Sequence, residues 1–336
     1  MSSMTEKDVK WSRKLAPFTG AENRRGAFET VLTLVLLAAF WLTAYAASQW
    51  SWWLAMPFAF VAGLMLVRVF VIQHDCGHGA LFSTAKLNDR VGRMLGVLTL
   101  TPYAYWRHNH NLHHASSGNL DKRGIGDIET LTVEEYRSRG FWGRLAYRAY
   151  RSPLVLFAIG PAFVFLIKQR LPFGHMDRPG AWVSVLGTNA GIAALAVFII
   201  LVFGWKTLVF IHLPASLVGA SIGVWLFYIQ HQFASTFWEH APAWERETAA
   251  LEGSSFYDLP KPLMWVTGNI GIHHVHHLAA RIPFWRLPQV LAAFPKFRET
   301  GRLNLMESLH CVKLTLWDER SSRLISFADF RNLRPA

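Results

Sequence analysis

Four long apolar runs constrain this chain more than any other feature of its sequence. They cover 28–47 (FETVLTLVLLAAFWLTAYAA), 52–73, 182–203 and 208–229. Each supplies about 20 residues, enough for a helix to cross roughly 30 Å of hydrocarbon. The links SQWS (48–51) and GWKT (204–207) are short, so the runs pair into two helical hairpins. Weaker apolar segments lie at 91–105 and 153–167. Gly160 and Pro161 interrupt the second of these, and Lys168 and Arg170 follow it. Both segments are expected to be re-entrant or interfacial rather than spanning.

The distribution of basic residues orients the hairpins. Residues 1–27 carry six Lys/Arg, 73–152 eleven, 168–180 three and 230–336 twelve, whereas the two tight links hold only Lys206. The positive-inside rule then places both termini and the long segments in the cytosol. A formal charge of +12 suits nucleic acid in a soluble protein. Here the bases are spread along cytosol-facing segments, so topology and attraction to anionic lipid explain them, and no nucleic-acid partner is expected. Hydrophobic residues make up 52% of the chain and charged residues 17%, which agrees with a membrane protein. Cys76 and Cys311 are too few for a disulfide scaffold and fit a reduced compartment. The first apolar run is too long for a signal-peptide core and reads as an uncleaved anchor.

Fifteen histidines are present, and three clusters of them stand at the ends of apolar sequence on the same expected membrane face. These are His74-Asp-Cys-Gly-His78, His110-Asn-Leu-His113-His114 and His273-His274-Val-His276-His277. Helical positions i, i+3 and i+4 share a face. His74 and His78 therefore point together, as do His110, His113 and His114, and His273, His276 and His277. Asn269 falls on the third of these faces, while His108 and His274 are rotated away. His231 leaves the last span on the same side. Imidazoles ligate iron, zinc, copper and nickel, and eight exceed the needs of one ion. Two metals with four or five ligands each would use the set. Zinc is the less apt choice, having no redox chemistry and closing its structural sites at four ligands.

The segments HDCGHGAL, WRHNHNLHH and NIGIHHVHHLAARIP resemble the three histidine boxes of the membrane fatty acid desaturases. The similarity is greatest to bacterial acyl-lipid desaturases of the Δ12 (omega-6) type and their Δ5 relatives. It extends to DIETLTVEEY (127–136), RSPLVLFAIGP (151–161), FYIQHQF (227–233) and GSSFYDLPK (253–261), and covers nearly all of the chain from about residue 15 to LWDE (316–319). The resemblance implies a di-iron, non-haem centre that consumes O2 and desaturates an acyl chain of a membrane lipid. Its ligands would be His74, His78, His110, His113, His114, His273, His276 and His277, with His231 as a ninth and Asn269 as a contact through water. Ala80-Leu81 and Phe284-Trp285 depart from the usual family residues after the first and third boxes. These departures bear on the position of the double bond rather than on the ligands. No haem-binding stretch of a fused cytochrome is present, so electrons are expected from a separate carrier such as ferredoxin or flavodoxin.

The reading is an all-α integral membrane protein with about four transmembrane helices and a cytosolic helical cap carrying the di-iron site, in a bacterial inner membrane. A basic segment (1–27) precedes one membrane domain (28–320), and a tail (321–336) follows. Hydroxylase, epoxygenase or ketolase chemistry on the same scaffold is the alternative, and a histidine-rich metal transporter is a more distant one. Asp75, Asp121, Asp127, Glu129, Glu239 and Asp258 are candidates to fix imidazole orientation. Arg68 is expected to snorkel to the headgroups, Cys76 to pack rather than ligate, and Trp50, Trp52, Trp53, Trp205 and Trp225 to anchor or pack the spans.

Overall fold

A computed structural model describes residues 11–124 and 126–333. Four helices are long and apolar enough to cross a membrane: Asn23–Ser48, Trp52–Gly77, Pro179–Phe203 and Trp205–His231. They overlay the four apolar runs, each reaching a few residues further where polar ends continue the helix. The segment expected to be re-entrant at 153–167 forms a π-helical turn (Val155–Ile159) and the helix Gly160–Leu166. With Phe141–Tyr150 before it, this stretch makes a pair bent by 58°, a broken span or a re-entrant loop. Residues 91–105 divide between two helices, Ala85–Leu98 and Tyr103–Ser116. Thr84 caps the first of these by accepting from the Leu87 N–H.

The second span is the centre of the bundle. In its most apolar window 61% of residues are buried, against 11% and 17% in the first and third spans, whose outer faces are left for lipid. Small residues let it meet the fourth span closely. A Cβ on Gly63 would lie 2.7 Å from Val218, and one on Gly219 would lie 3.0 Å from Leu66.

Arg68 does not snorkel. It is buried in the second span, 2.6 Å from Glu29 of the first. Its Nε donates to the Thr33 hydroxyl, a terminal nitrogen donates to the Trp265 carbonyl, and the guanidinium lies 4.1 Å from the Trp265 ring centroid. A charge this far from water persists only when paired, so Glu29 overrides the pull of the headgroups.

The cap is not wholly helical. Strands β1 (Leu131–Thr132), β4 (Leu314–Asp318) and β5 (Arg323–Ser326) form one small sheet, parallel between β1 and β4 and antiparallel between β4 and β5. Strands β2 (Phe256–Asp258) and β3 (Arg302–Asn304) form a parallel pair. Residues 321–336 were expected to trail as a tail. Instead they contribute β5 and the helix Phe327–Asn332, because Ile325, Phe327 and Phe330 complete an apolar cluster with Tyr136 and Tyr147.

Arg151 ties this cap to the membrane. It is buried and donates to the carbonyls of Glu129 and Leu314, the Thr130 hydroxyl, the Tyr228 hydroxyl and Gln232 Oε1. Trp50 and Trp53 are exposed at the far ends of the first hairpin, as interface anchors should be. Trp225 instead packs on Phe157.

The buried pair gives a stability test. Glu29→Gln leaves Arg68 charged and without its acid, and should cost about 3–5 kcal/mol. Thermal unfolding of the detergent-solubilised protein measures this. The double variant Glu29→Leu/Arg68→Met should recover much of the loss, because it leaves no unpaired charge.

Candidate metal centre

Three helices and one helix end deliver the histidines. His74 lies in the last turn of the second span and His78 caps it. The helix Tyr103–Ser116 carries His110, His113 and His114, and His273–Leu278 carries the third cluster. His231 ends the fourth span. Ser255, the residue before strand β2, joins the last two parts. The Ser255 N–H donates to the Gln230 carbonyl, the Ser255 hydroxyl to the Ile229 carbonyl, and the His273 N–H to the Ser255 carbonyl.

All nine expected histidines converge, in two adjoining groups. His74, His78, His110, His114 and His276 bring one ring nitrogen each to within 4.8 Å of one another. His113, His231 and His277 do the same, and His273 Nε2 joins them at 3.1 Å from the Nε2 atoms of both His231 and His277. Each of the two groups could hold a metal ion. Sequence neighbours separate at this point, His113 from His114 and His276 from His277. The His114 and His277 rings stack with centroids 4.1 Å apart where the groups meet.

The spacing within the groups tests the fit to a metal. Neighbouring Nε2 atoms are 3.0 Å apart for His78 and His110, and 3.1 Å for His110 with His114, His114 with His276 and His113 with His231. Imidazoles about 2.1 Å from one ion stand about 3.0 Å apart if their bonds meet at right angles, and about 3.4 Å if tetrahedral. The observed separations are short enough for the imidazoles of each group to share one ion. Nitrogens this close cannot all donate hydrogen bonds, and lone pairs aimed at a common point could be satisfied by a cation.

Electrostatics favour the ligating form. Burial, reinforced by the neighbouring imidazoles, holds His78, His110, His114, His273, His276 and His277 well below the ordinary value of 6.5. They are therefore neutral at pH 7, with lone pairs available. Unfolded histidines take up protons near 6.5 and the folded ones do not. Stability of the metal-free protein should therefore be fully present above that pH and fall as pH drops through it. Melting temperature measured from pH 7.5 down to 5.5 checks the sign.

Two of the six candidate acids bond to clustered imidazoles. Asp127 accepts from His113 Nδ1 at 2.5 Å. Asp75 accepts from His74 Nδ1 at 3.2 Å and, through its other oxygen, from the Phe284 N–H at 2.8 Å. The same carboxylate thus links the first box to the segment after the third. The His231 Nδ1 proton has the Gly253 carbonyl as its partner. The other acids are engaged elsewhere: Asp121 with His240, Glu129 with Arg139, Glu239 with the His240 N–H, and Asp258 with Arg302. Asn269 holds a left-handed backbone (φ 54°) and its amide donates to the Phe284 carbonyl. His274 is buried against Phe256 and Phe297, and His108 faces His175 and Arg178. Cys76 is buried in the main apolar cluster.

A largely apolar cavity of about 720 Å³ reaches the histidines from the membrane side. His74, His110 and His273 form part of its wall, and Phe70, Leu156, Phe163 and Phe227 line its body. A smaller cavity of about 300 Å³ meets His231 and Asp127 from the cap side, among Asn119, Arg123, Thr130 and Gln232.

Comparison with known proteins settles the lineage. The sequence model of the family described as "Fatty acid desaturase" matches residues 51–306, all three histidine clusters included. The chain belongs to the fatty acid desaturase family. It is therefore an oxidoreductase. This desaturase is 38% identical over 331 residues to a fatty acid desaturase of Bacillus subtilis, with 98% of this chain and 94% of the relative covered. It is 28% identical over 276 residues to an sn-1 acyl-lipid omega-3 desaturase (ferredoxin) of Synechocystis sp., covering 78% and 72%. An sn-1 oleoyl-lipid 12-desaturase of Picosynechococcus sp. is 28% identical over 254 residues, covering 72% and 69%.

The Asp127–His113 contact yields a direct test on the desaturase. Asp127→Asn keeps the shape but removes the charge behind the ligand, and should lower metal affinity or activity 10–100-fold. Metal content per chain after dialysis against a weak chelator, read beside activity, measures both.

Proposed function

We propose that this desaturase uses two iron ions and O2 to introduce a cis double bond into an acyl chain of a membrane lipid, with Δ12 (omega-6) as its type. The observation that carries this reading is an apolar cavity whose wall includes His74, His110 and His273. An acyl chain lying in it would pass directly beneath the imidazoles. The redox chemistry of desaturation favours iron over zinc, which has none. His74, His78, His110, His114 and His276 would hold one ion, and His113, His231, His273 and His277 the other. Asn269 is assigned the contact through water, since its Oδ1 has no protein partner among the described residues.

Two irons held there would, with O2 and two electrons and two protons from outside, supply the oxidising power to remove two hydrogens from adjacent methylenes, leaving two waters. The protein's part is positional. Phe70, Leu156, Phe163 and Phe227 hold the chain extended and keep water from the methylenes. Asp75 and Asp127 fix the tautomers of His74 and His113, so that their free nitrogens face inward.

Electrons are assigned to a separate carrier, ferredoxin or flavodoxin. The relatives named with ferredoxin support that choice. Four spans and the count of basic residues support a bacterial inner membrane location with termini and site in the cytosol.

Expression in a host lacking the corresponding desaturase, followed by methyl ester analysis of its lipids, tests the proposal. The expected product is two hydrogens lighter than its precursor; an added oxygen would point to a hydroxylase. His113→Ala and His276→Ala, one from each group, should each abolish the product while the protein stays in the membrane. Full activity in both variants would refute the two-metal reading.

A further inference from the structure

The face that the fourth span turns to the cavity is built from small residues. Ser216, Gly219, Ala220 and Gly223 succeed one another at helical spacing, with bulkier Val224 and Phe227 following nearer the histidines. Helix packing explains one of the two glycines. A side chain on Gly219 would strike Leu66 at 3.0 Å and the Gly63 carbonyl at 3.2 Å. Gly223 is different, since a Cβ placed there meets no atom within 4 Å. A glycine within a helix costs about 1 kcal/mol relative to alanine. At Gly223 neither a turn nor a close helix contact accounts for that cost, and the space beside it belongs to the cavity.

Depth follows from the helix rise. Gly223 stands eight residues before His231 and Ser216 fifteen, so they lie about 12 Å and about 22 Å below the ligand along the axis. Any side chain at 223 would project into the passage about half-way between the histidines and its deep end. Leu156, Ile159 and Gly160 of the bent segment line the same cavity.

We propose that Gly223 sets the length of acyl chain that this desaturase accepts, by leaving open the part of the cavity beside Gly223 and Ala220 into which the methyl end extends. The inference rests on reading the cavity as the acyl site. Leucine at 223 would close the passage, so long chains could no longer place the same methylenes under the histidines. Chains short enough to end above residue 223 would still fit.

The test uses the full-length protein, expressed in a host whose membrane lipids carry saturated and monounsaturated acyl chains of graded length. Methyl esters from the parent are compared with those from Gly223→Ala, Gly223→Leu and Gly187→Leu. Gly187 is also free of neighbours within 4 Å, but it lies exposed on the third span and outside the cavity. Gly223→Leu should lose activity on the longest chains about tenfold or more while keeping it on the shortest, in line with the selectivity of hydrophobic pockets. Gly223→Ala should fall between it and the parent, and Gly187→Leu should keep the parent's profile. Binding is read apart from turnover by the rise in melting temperature that long-chain and short-chain saturated phospholipids produce in each purified variant.

A Gly223→Leu protein with the parent's length profile, or with equal losses at every length, would overturn the assignment. If that variant fails to reach the membrane, Gly223→Ala decides: an unchanged profile overturns the proposal and a shift toward shorter chains upholds it. A parent that yields no desaturated lipid refutes the function instead, which keeps the two failures apart.

Discussion

Nine imidazoles turned toward one another in two adjoining groups form the constraint on which this architecture depends. Without a cation their lone pairs repel, and protonating them would place like charges side by side in low dielectric. Burial holds six of these rings neutral. Metal binding would remove the conflict. The rest of the structure brings four separate chain segments to that point and keeps them in register. The glycine contact between the second and fourth spans, the stitch of Ser255 between Gln230 and His273, and the five bonds of Arg151 each fix one of the segments.

Much of this was legible in the sequence, because the strongest signals are periodic. Apolar runs of membrane length mark the spans, and i, i+3, i+4 spacing marks the box histidines. His231 was accessible because it ends an apolar run on the same side as the boxes. Periodicity could not assign histidines to centres. His110, His113 and His114 share a helix face, yet the structure sends His113 to one group and the other two to the other. That division depends on where neighbouring helices approach, which is tertiary information.

Polar residues in apolar surroundings were read less well. Arg68 carries the sequence signature of a snorkelling base, and only the position of Glu29 across the helix pair reveals a buried ion pair. Arg151 looked like one more positive-inside charge and proves to be the knot between cap and membrane. Asp75 and Asp127 stood among six equivalent acids, and proximity to an imidazole nitrogen is what separates them. The short strands escaped because two to five residues of β structure carry too little alternation to register against loops. Gly223 gave no signal at all, since its meaning lies in the empty volume beside it.

The division of adjacent histidines between the two groups has a consequence for how such a centre can change over generations. His113 and His114 occupy consecutive positions on one helix, as do His276 and His277 on another. An insertion, deletion or quarter-turn of either helix would disturb both metal positions together. A shift of either helix as a body would thus alter both groups at once. Variation is instead free to accumulate along the walls of the cavity, where a side chain can be exchanged without touching either group. One centre can then be kept while the lipids it serves diversify.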